Sequence, residues 1–341
     1  MNLDNLDGWI NKPTKCEVLI TRKCNLKCSN CAMVKDTEEL SVSQWAEVPT
    51  KLHQLGISFA PIYGAEPLMV FESLVKLVEE CYKLDIPTSI ITNGILLDER
   101  RAQMLRQSGL RSITLSVDML PMGTSETIKS NAALDKLDMC LRIFDDVEII
   151  HTITYRDWEL LPSSIAKMSK LGVWVHFDFL HGDRGQQGTK CRGSAMMPSI
   201  DRIVGVGAEL IKMKRLGYLI HPSLDVLEYI VGNPDEIFNQ SWKCRGASFV
   251  TLNCSGDIYF CDDNQPDELS GRFPILEYGT KWKWDEFVGV AREQVKNCPG
   301  CCWLTHLASD LWQEKGDEQW KNEMTHRIAR KITKKTKEGK L

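Results

Sequence analysis

The chain has 341 residues, 43% of them hydrophobic and 26% charged, with 42 basic against 46 acidic side chains and a formal net charge of −4. This composition excludes a disordered or fibrous chain, and the near balance of charge argues against broad electrostatic capture of nucleic acid or acidic membrane. The first residues carry no basic and apolar leader, and no apolar run approaches the roughly 18 residues of a membrane span, so the 13 cysteines point to metal or redox use in the cytoplasm rather than to a disulfide framework.

Residues 15–21 read as a first strand, followed directly by Cys24, Cys28 and Cys31. Three thiolates on one loop can hold three irons of a cubane iron-sulfur cluster and leave the fourth iron open. The alternatives at this point are a zinc site one ligand short, or inert thiols. Ser41 and Gln44 form a capping-box pattern, and Trp45, Val48, Leu52 and Leu55 recur at helical spacing up to Gly56, with a kink expected at Pro49. A second strand over 57–62 ends in Gly64-Ala65-Glu66-Pro67, and a helix follows over 71–84. A third strand, 89–92, is closed by Asn93-Gly94. Helix 98–108 stops at Gly109, and a fourth strand, 113–117, ends at Asp118. Then come a helix over 125–144, a strand over 147–154, a helix capped by Asp157 and running to 170, and a sixth strand over 173–180.

This alternation predicts parallel βαβ units that close or half-close into a barrel, whose sites are built from the loops after each strand. The unusual residues fall at those places: the cysteines, the Gly64 to Pro67 segment, Asn93, Asp118, and His181, Asp183 and Arg184 after the sixth strand. A structural zinc clip has no need of such a ring. Residues 182–198 read as a linker and 199–216 and 223–231 as helices, after which a second cysteine group begins: Cys244, Cys254, Cys261, Cys298, Cys301 and Cys302. Cys16, Cys81 and Cys140 are expected as buried apolar thiols. The Lys-rich stretch at 327–340 reads as a solvated helix or frayed tail.

Four features together resemble the radical S-adenosylmethionine (SAM) enzymes. The Cys24, Cys28, Cys31 loop has that family's spacing, Gly64-Ala65-Glu66-Pro67 is similar to its Gly-Gly-Glu-Pro motif, Ser116 and Asp118 stand at its ribose-binding strand end, and Thr92-Asn93-Gly94 resembles its third-strand end. Ala65 replaces a glycine, and Asn30 stands where the family often has an aromatic residue. Cys244, Gly256 and Cys261, followed by Cys298 and Cys301, resemble the opening of the SPASM and twitch extensions. Residues 249–254 and 257–260 alternate around Ser255-Gly256 like a hairpin that would bring Cys244 and Cys261 to one end.

The resemblance implies an α/β fold, a partial (βα)6 TIM-like barrel over 15–185, preceded by a short segment at 1–14. It continues with a linker and helices at 186–243, a small cysteine-rich twitch-like domain at 244–302 and a C-terminal helix with a basic tail at 303–341. It implies SAM and a 4Fe-4S cluster held by Cys24, Cys28 and Cys31, with SAM contacts at Gly64, Ala65, Glu66, Pro67, Asn93, Ser116 and Asp118. It also implies one auxiliary 4Fe-4S cluster held by Cys244, Cys261, Cys298 and Cys301, and a flavodoxin or ferredoxin-type electron donor. The activity implied is cleavage of SAM to a 5'-deoxyadenosyl radical that abstracts hydrogen from a substrate, with oxidation through the auxiliary cluster. A redox-neutral epimerase, mutase or lyase is the alternative, in which Cys254 returns a hydrogen atom. Only about fourteen residues precede the first strand, so a small polar substrate, an amino sugar, cyclitol or nucleoside, is expected ahead of a peptide. The non-enzymatic alternative is a zinc-binding structural protein, with the same four downstream thiolates as a zinc knot.

Overall fold

The apolar residues of the predicted strands alternate toward two different environments, and this sets the architecture. In a computed structural model, residues 13–29, 31, 38–118, 124–180, 197–244, 249–261, 272–297 and 300–315 are described. Asn30, His181, Asp183, Arg184, Cys298 and the basic tail lie outside them. Along β1 (Lys15–Leu19), Cys16 and Val18 are fully buried toward the helices while Lys15 and Glu17 face the other way. The next units repeat the pattern: α1 (Val42–Leu55), β2 (Ala60–Tyr63), α2 (Phe71–Lys83), β3 (Thr88–Thr92), α3 (Glu99–Gln107) and β4 (Ser112–Ser116). They are followed by α4 (Thr124–Asp135), α5 (Leu137–Ile143), β5 (Asp146–Ile153), α6 (Leu161–Lys170) and β6 (Trp174–Phe179). All six strands pair in parallel in sequential order, the arrangement a right-handed βαβ series produces.

The second half of the chain adds α7 (Ile200–Arg215), β7 (Ile220–His221), α8 (Leu224–Gly232), α9 (Pro234–Phe238), β8 (Phe249–Leu252), β9 (Ile258–Tyr259), α10 (Trp284–Asn297) and α11 (Leu304–Lys315). Strand β7 pairs in parallel with β6, and β8 pairs in parallel with β1, so among the described residues the sheet has nine strands in the order β7-β6-β5-β4-β3-β2-β1-β8-β9. The expected hairpin is present, with Thr251 opposite Tyr259 and Leu252 opposite Ile258. It continues the barrel sheet through β1. The sheet also curls: Glu17 on β1 lies within electrostatic reach of His176 on β6, although four strands separate them along the sheet. The first turns of α11 cover the open side, with Leu304 N–H donating to Asp178 Oδ1 of β6 at 3.4 Å and His306 beside Glu17.

Local expectations fare unevenly. The Ser41 capping box is formed, and α1 runs through the buried Pro49 as one helix. Cys16, Cys81 and Cys140 are fully buried, and burial pushes the Cys81 and Cys140 thiols up to about 12. The helix expected over 125–144 is two helices broken at Lys136, because α4 packs on β4 while α5 packs on α3 and β5. Asp157 does not cap a helix. Its Oδ1 instead accepts from the Thr154 N–H at 2.6 Å and hydroxyl at 3.2 Å, a local side-chain bond that competes with capping. The helix begins after a short 3-10 turn at Trp158–Leu160. Among the described residues no helix is long and apolar enough to cross a membrane.

Candidate active site

The loop after β1 is held by its neighbour after β2 through a continued ladder of backbone bonds. Ile20 N–H donates to Tyr63 O at 2.9 Å, Ala65 N–H to Thr21 O at 3.0 Å, and Glu66 N–H to Lys23 O at 3.0 Å. Gly64 makes this approach possible, since a Cβ there would sit 2.6 Å from Thr21 O. On the other side, Glu39 accepts from the Thr21 hydroxyl at 2.6 Å, the Arg22 N–H at 3.2 Å and Lys23 Nζ at 2.6 Å. Burial opposes ionisation of Glu39, but those donors hold its carboxyl below the usual range. The three thiols therefore hang from a clamped backbone. Cys24 and Cys28 are half-buried and Cys31 is exposed, and Cys31 N–H donates to Cys28 O at 3.2 Å to close the turn.

Glu66 is the buried node joining three strand ends. Its Oε1 accepts from Leu68 N–H at 3.0 Å and from the Thr92 hydroxyl at 2.7 Å, and its Oε2 accepts from Asn93 N–H at 2.8 Å. Burial pushes this carboxyl above the usual range, with the three donors opposing. Asn93 then reaches back, its Nδ2 donating to Asn25 Oδ1 at 2.9 Å within the cysteine loop. The strand-end residues expected from the sequence, the cysteine loop, Gly64 to Pro67 and Asn93, thus form one hydrogen-bonded assembly.

The fourth strand end brings residues the sequence reading did not single out. Asp118, buried, pairs with Lys129 Nζ of α4 at 2.6 Å, and Asp118 N–H donates to Ser130 Oγ at 3.0 Å. One helical turn earlier, Glu126 accepts from the Ser29 N–H and from the Ser29 hydroxyl at 2.8 Å, tying α4 to the cysteine loop. Burial opposes ionisation of Glu126, yet the bonds from Ser29 and the nearby Lys129 hold its carboxyl below the usual range. Burial also pushes the Cys28 thiol up to about 11, with Lys129 pulling it down and Glu126, Asp118 and Cys31 adding to the rise. The available signal was Glu126 and Lys129 three apart, on one face of the helix directly after Asp118. Ser116 lies on the same sheet face as Ser112 and Thr114, toward the barrel interior.

A second thiol group forms where the C-terminal segment meets the hairpin. Cys301 N–H donates to Trp242 O at 2.8 Å, an approach that Gly300 permits with φ of +100° and a would-be Cβ 2.8 Å from Ser241 backbone. Burial pushes the Cys301 thiol well above its ordinary range, and neighbouring Cys244, Cys261 and Cys302 push it further. Three of the four expected auxiliary ligands are therefore together, and the fourth, Cys298, lies outside the described residues. Cys302 is buried at 1% exposure. Cys254 is equally buried, its Sγ directed at Glu38 O at 3.9 Å, while its carbonyl accepts from Leu40 N–H at 2.8 Å. It sits under the segment leading out of the first cysteine loop.

The residues present suit soft metal clusters. Each group gathers thiols on close-approaching backbone, and the first leaves a position without a cysteine, as a cubane with one open iron requires. The sequence profile described as the Radical SAM superfamily matches residues 18–156. A PqqA peptide cyclase of Gluconobacter oxydans is 32% identical over 254 residues, covering 71% of this chain and 68% of that protein. A PqqA peptide cyclase of Granulibacter bethesdensis is 27% identical over 279 residues, covering 78% and 70%. Other curated relatives align over less of their length, 36% for an uncharacterised protein of Archaeoglobus fulgidus and 42% for a GTP 3',8-cyclase of Peptoclostridium acidaminophilum. In fold the chain is similar to Streptococcus suis SuiB bound to S-adenosylmethionine, with a TM-score of 0.63 at 16% identity, covering 87% of this chain and 75% of that one. A relative at 32% identity across more than two thirds of its length settles kinship: the chain is an enzyme of the radical SAM superfamily, whose members bind SAM and a 4Fe-4S cluster.

Proposed function

We propose that Cys24, Cys28 and Cys31 hold the SAM-binding 4Fe-4S cluster, that Cys244, Cys261, Cys301 and Cys298 hold an auxiliary one, and that the enzyme modifies a peptide. The observation that carries the first part is the bonded assembly of the cysteine loop, the Gly64 to Pro67 loop and Asn93. When bound, the cluster supplies an electron to SAM and so opens radical chemistry on the substrate. The chain's own residues orient it. The amide hydrogens of Ala65 and Glu66 point into the cysteine loop, which leaves carbonyl oxygens of this loop as acceptors for the ammonium of the methionine moiety. Glu66 fixes that loop to β3 from behind. Ser116 and Asp118 offer acceptors for ribose hydroxyls, and Lys129 holds the Asp118 carboxylate in place.

The peptide reading rests on the length of the likeness. Alignments of 254 and 279 residues with PqqA peptide cyclases extend far beyond 18–156, so they include much of the chain outside the radical SAM match. A small polar substrate is the second reading, favoured by the GTP 3',8-cyclase likeness, which spans 140 residues. The electron comes in either case from a flavodoxin or ferredoxin-type donor. The two are separated by offering the reduced, reconstituted enzyme SAM together with peptides encoded by neighbouring genes, and separately nucleosides and amino sugars. Peptide-stimulated release of 5'-deoxyadenosine with a peptide product lighter by two hydrogens supports oxidative peptide modification. Stimulation by the small molecules alone contradicts it.

A further inference from the structure

The barrel interior holds a second constellation, apart from the first cysteine loop, which lies at the other ends of the strands. Glu148 is the third residue of β5, His176 the third of β6 and His221 the last of β7. They share the sheet face opposite His151, whose ring bonds Ser164 on α6 and so marks the helix side. The parallel register sets His176 directly beside His221, with ring centroids 4.6 Å apart and planes 26° from parallel. His221 Nδ1 lies 2.9 Å from Glu148 Oε1. One ligand atom from each of the three residues falls within 4.8 Å of the others.

We propose that Glu148, His176 and His221 bind a divalent transition metal, with zinc as the probe. Two imidazoles and one carboxylate are the protein donors of His2Glu zinc sites and of the facial triad, both of which leave further positions open. Ligand bonds of about 2.0–2.2 Å place donor atoms roughly 3–3.5 Å apart, within side-chain rotation of the spacing present. The carboxylate is already oriented, since Thr114 Oγ1 donates to Glu148 Oε2 at 3.3 Å, which leaves Oε1 toward the histidines. Glu148, 10% exposed, supplies the negative charge, since Glu17, which faces the same interior within reach of His176, is already paired with Lys15 at 2.6 Å, and Lys214 Nζ donates to Ile220 O at 2.6 Å beside His221. His221 at 31% side-chain exposure gives the metal a way in. The site lies toward the N-terminal ends of the strands, whereas the cysteine loop and its neighbours sit at the C-terminal ends.

A hydrogen bond that merely clasps the short β7 to the barrel predicts the same contacts without metal. The test uses the holoenzyme with its iron-sulfur clusters in place, so that the cysteines are filled, dialysed against micromolar Zn2+ and freed of loose metal. Elemental analysis is expected to give about one zinc per chain, absent from the His176→Ala/His221→Ala variant at unchanged iron content. X-ray absorption at the zinc edge is expected to show only nitrogen and oxygen at about 2.0–2.2 Å. If the double variant fails to fold, the absorption spectrum of the wild type decides alone. Zinc no higher than background, zinc retained by a folded double variant, or a sulfur shell each overturns the proposal.

Discussion

Glu66 shows how one side chain can matter without touching a substrate. Its two oxygens take three donors from two strand ends, and both are needed as acceptors. In Glu66→Gln one oxygen becomes an NH2 that confronts either Asn93 N–H or the pair from Leu68 and Thr92. The variant is expected to lose about 1–3 kcal/mol in denaturant unfolding, the cost of an unsatisfied buried donor, and to bind SAM more weakly because the loop is no longer fixed. A Glu66→Gln variant with wild-type stability would show that the network carries no weight. The identity of Glu66 was legible in the sequence as a motif letter. Its function as a clasp was not, because Thr92 and Asn93 lie 26 and 27 residues away and only the strand pairing brings them together. Glu126 and Lys129 were missed for the same reason: on a helix they look like a solvated face, and docking on the cysteine loop makes them part of the site.

At the scale of elements, β5 is joined to α6 and to the end of β4 by His151, whose Nδ1 meets Val117 O at 2.7 Å and whose Nε2 meets Ser164 Oγ at 2.9 Å. Burial lowers its pKa from the ordinary 6.5 to about 4, with Lys129 adding to the fall and the Val117 bond opposing it. The unfolded chain therefore takes up a proton as pH drops through about 6.5, while the folded chain does so only near 4. Protonation in that window favours unfolding. His151 is thus compatible with full stability above about pH 6.5, and stability falls as pH falls toward 4, by up to about 3 kcal/mol. His151→Gln keeps hydrogen-bonding capacity without the titration, so its unfolding free energy is expected to vary less with pH between about 7.5 and 5 than that of the wild type. Parallel pH profiles for the two proteins would contradict this assignment. The six barrel strands were readable because their apolar runs and turn residues are local signals. The parallel pairing of β8 with β1 and the two-residue β7 were not, since neither leaves a periodicity in so few residues. The break at Lys136 was hidden for a related reason, as no glycine or proline marks it.

Across the molecule, the half barrel and the cysteine hairpin form one sheet, and this places the two thiol groups on a shared scaffold. Strand β8 lies against β1, Cys254 at its end is covered by residues 38–40 that leave the first cysteine loop, and the second group gathers where residues 241–244 meet residues 300–302. If both thiol groups hold iron-sulfur clusters, iron and acid-labile sulfide counted per chain after anaerobic reconstitution will register both. The expected count is about eight irons with matching sulfide, falling to about four in Cys24→Ala/Cys28→Ala/Cys31→Ala and to about four in Cys244→Ala/Cys261→Ala/Cys301→Ala. About four irons in the wild type, unchanged by the second triple substitution, or zinc without sulfide at the second group, would contradict it.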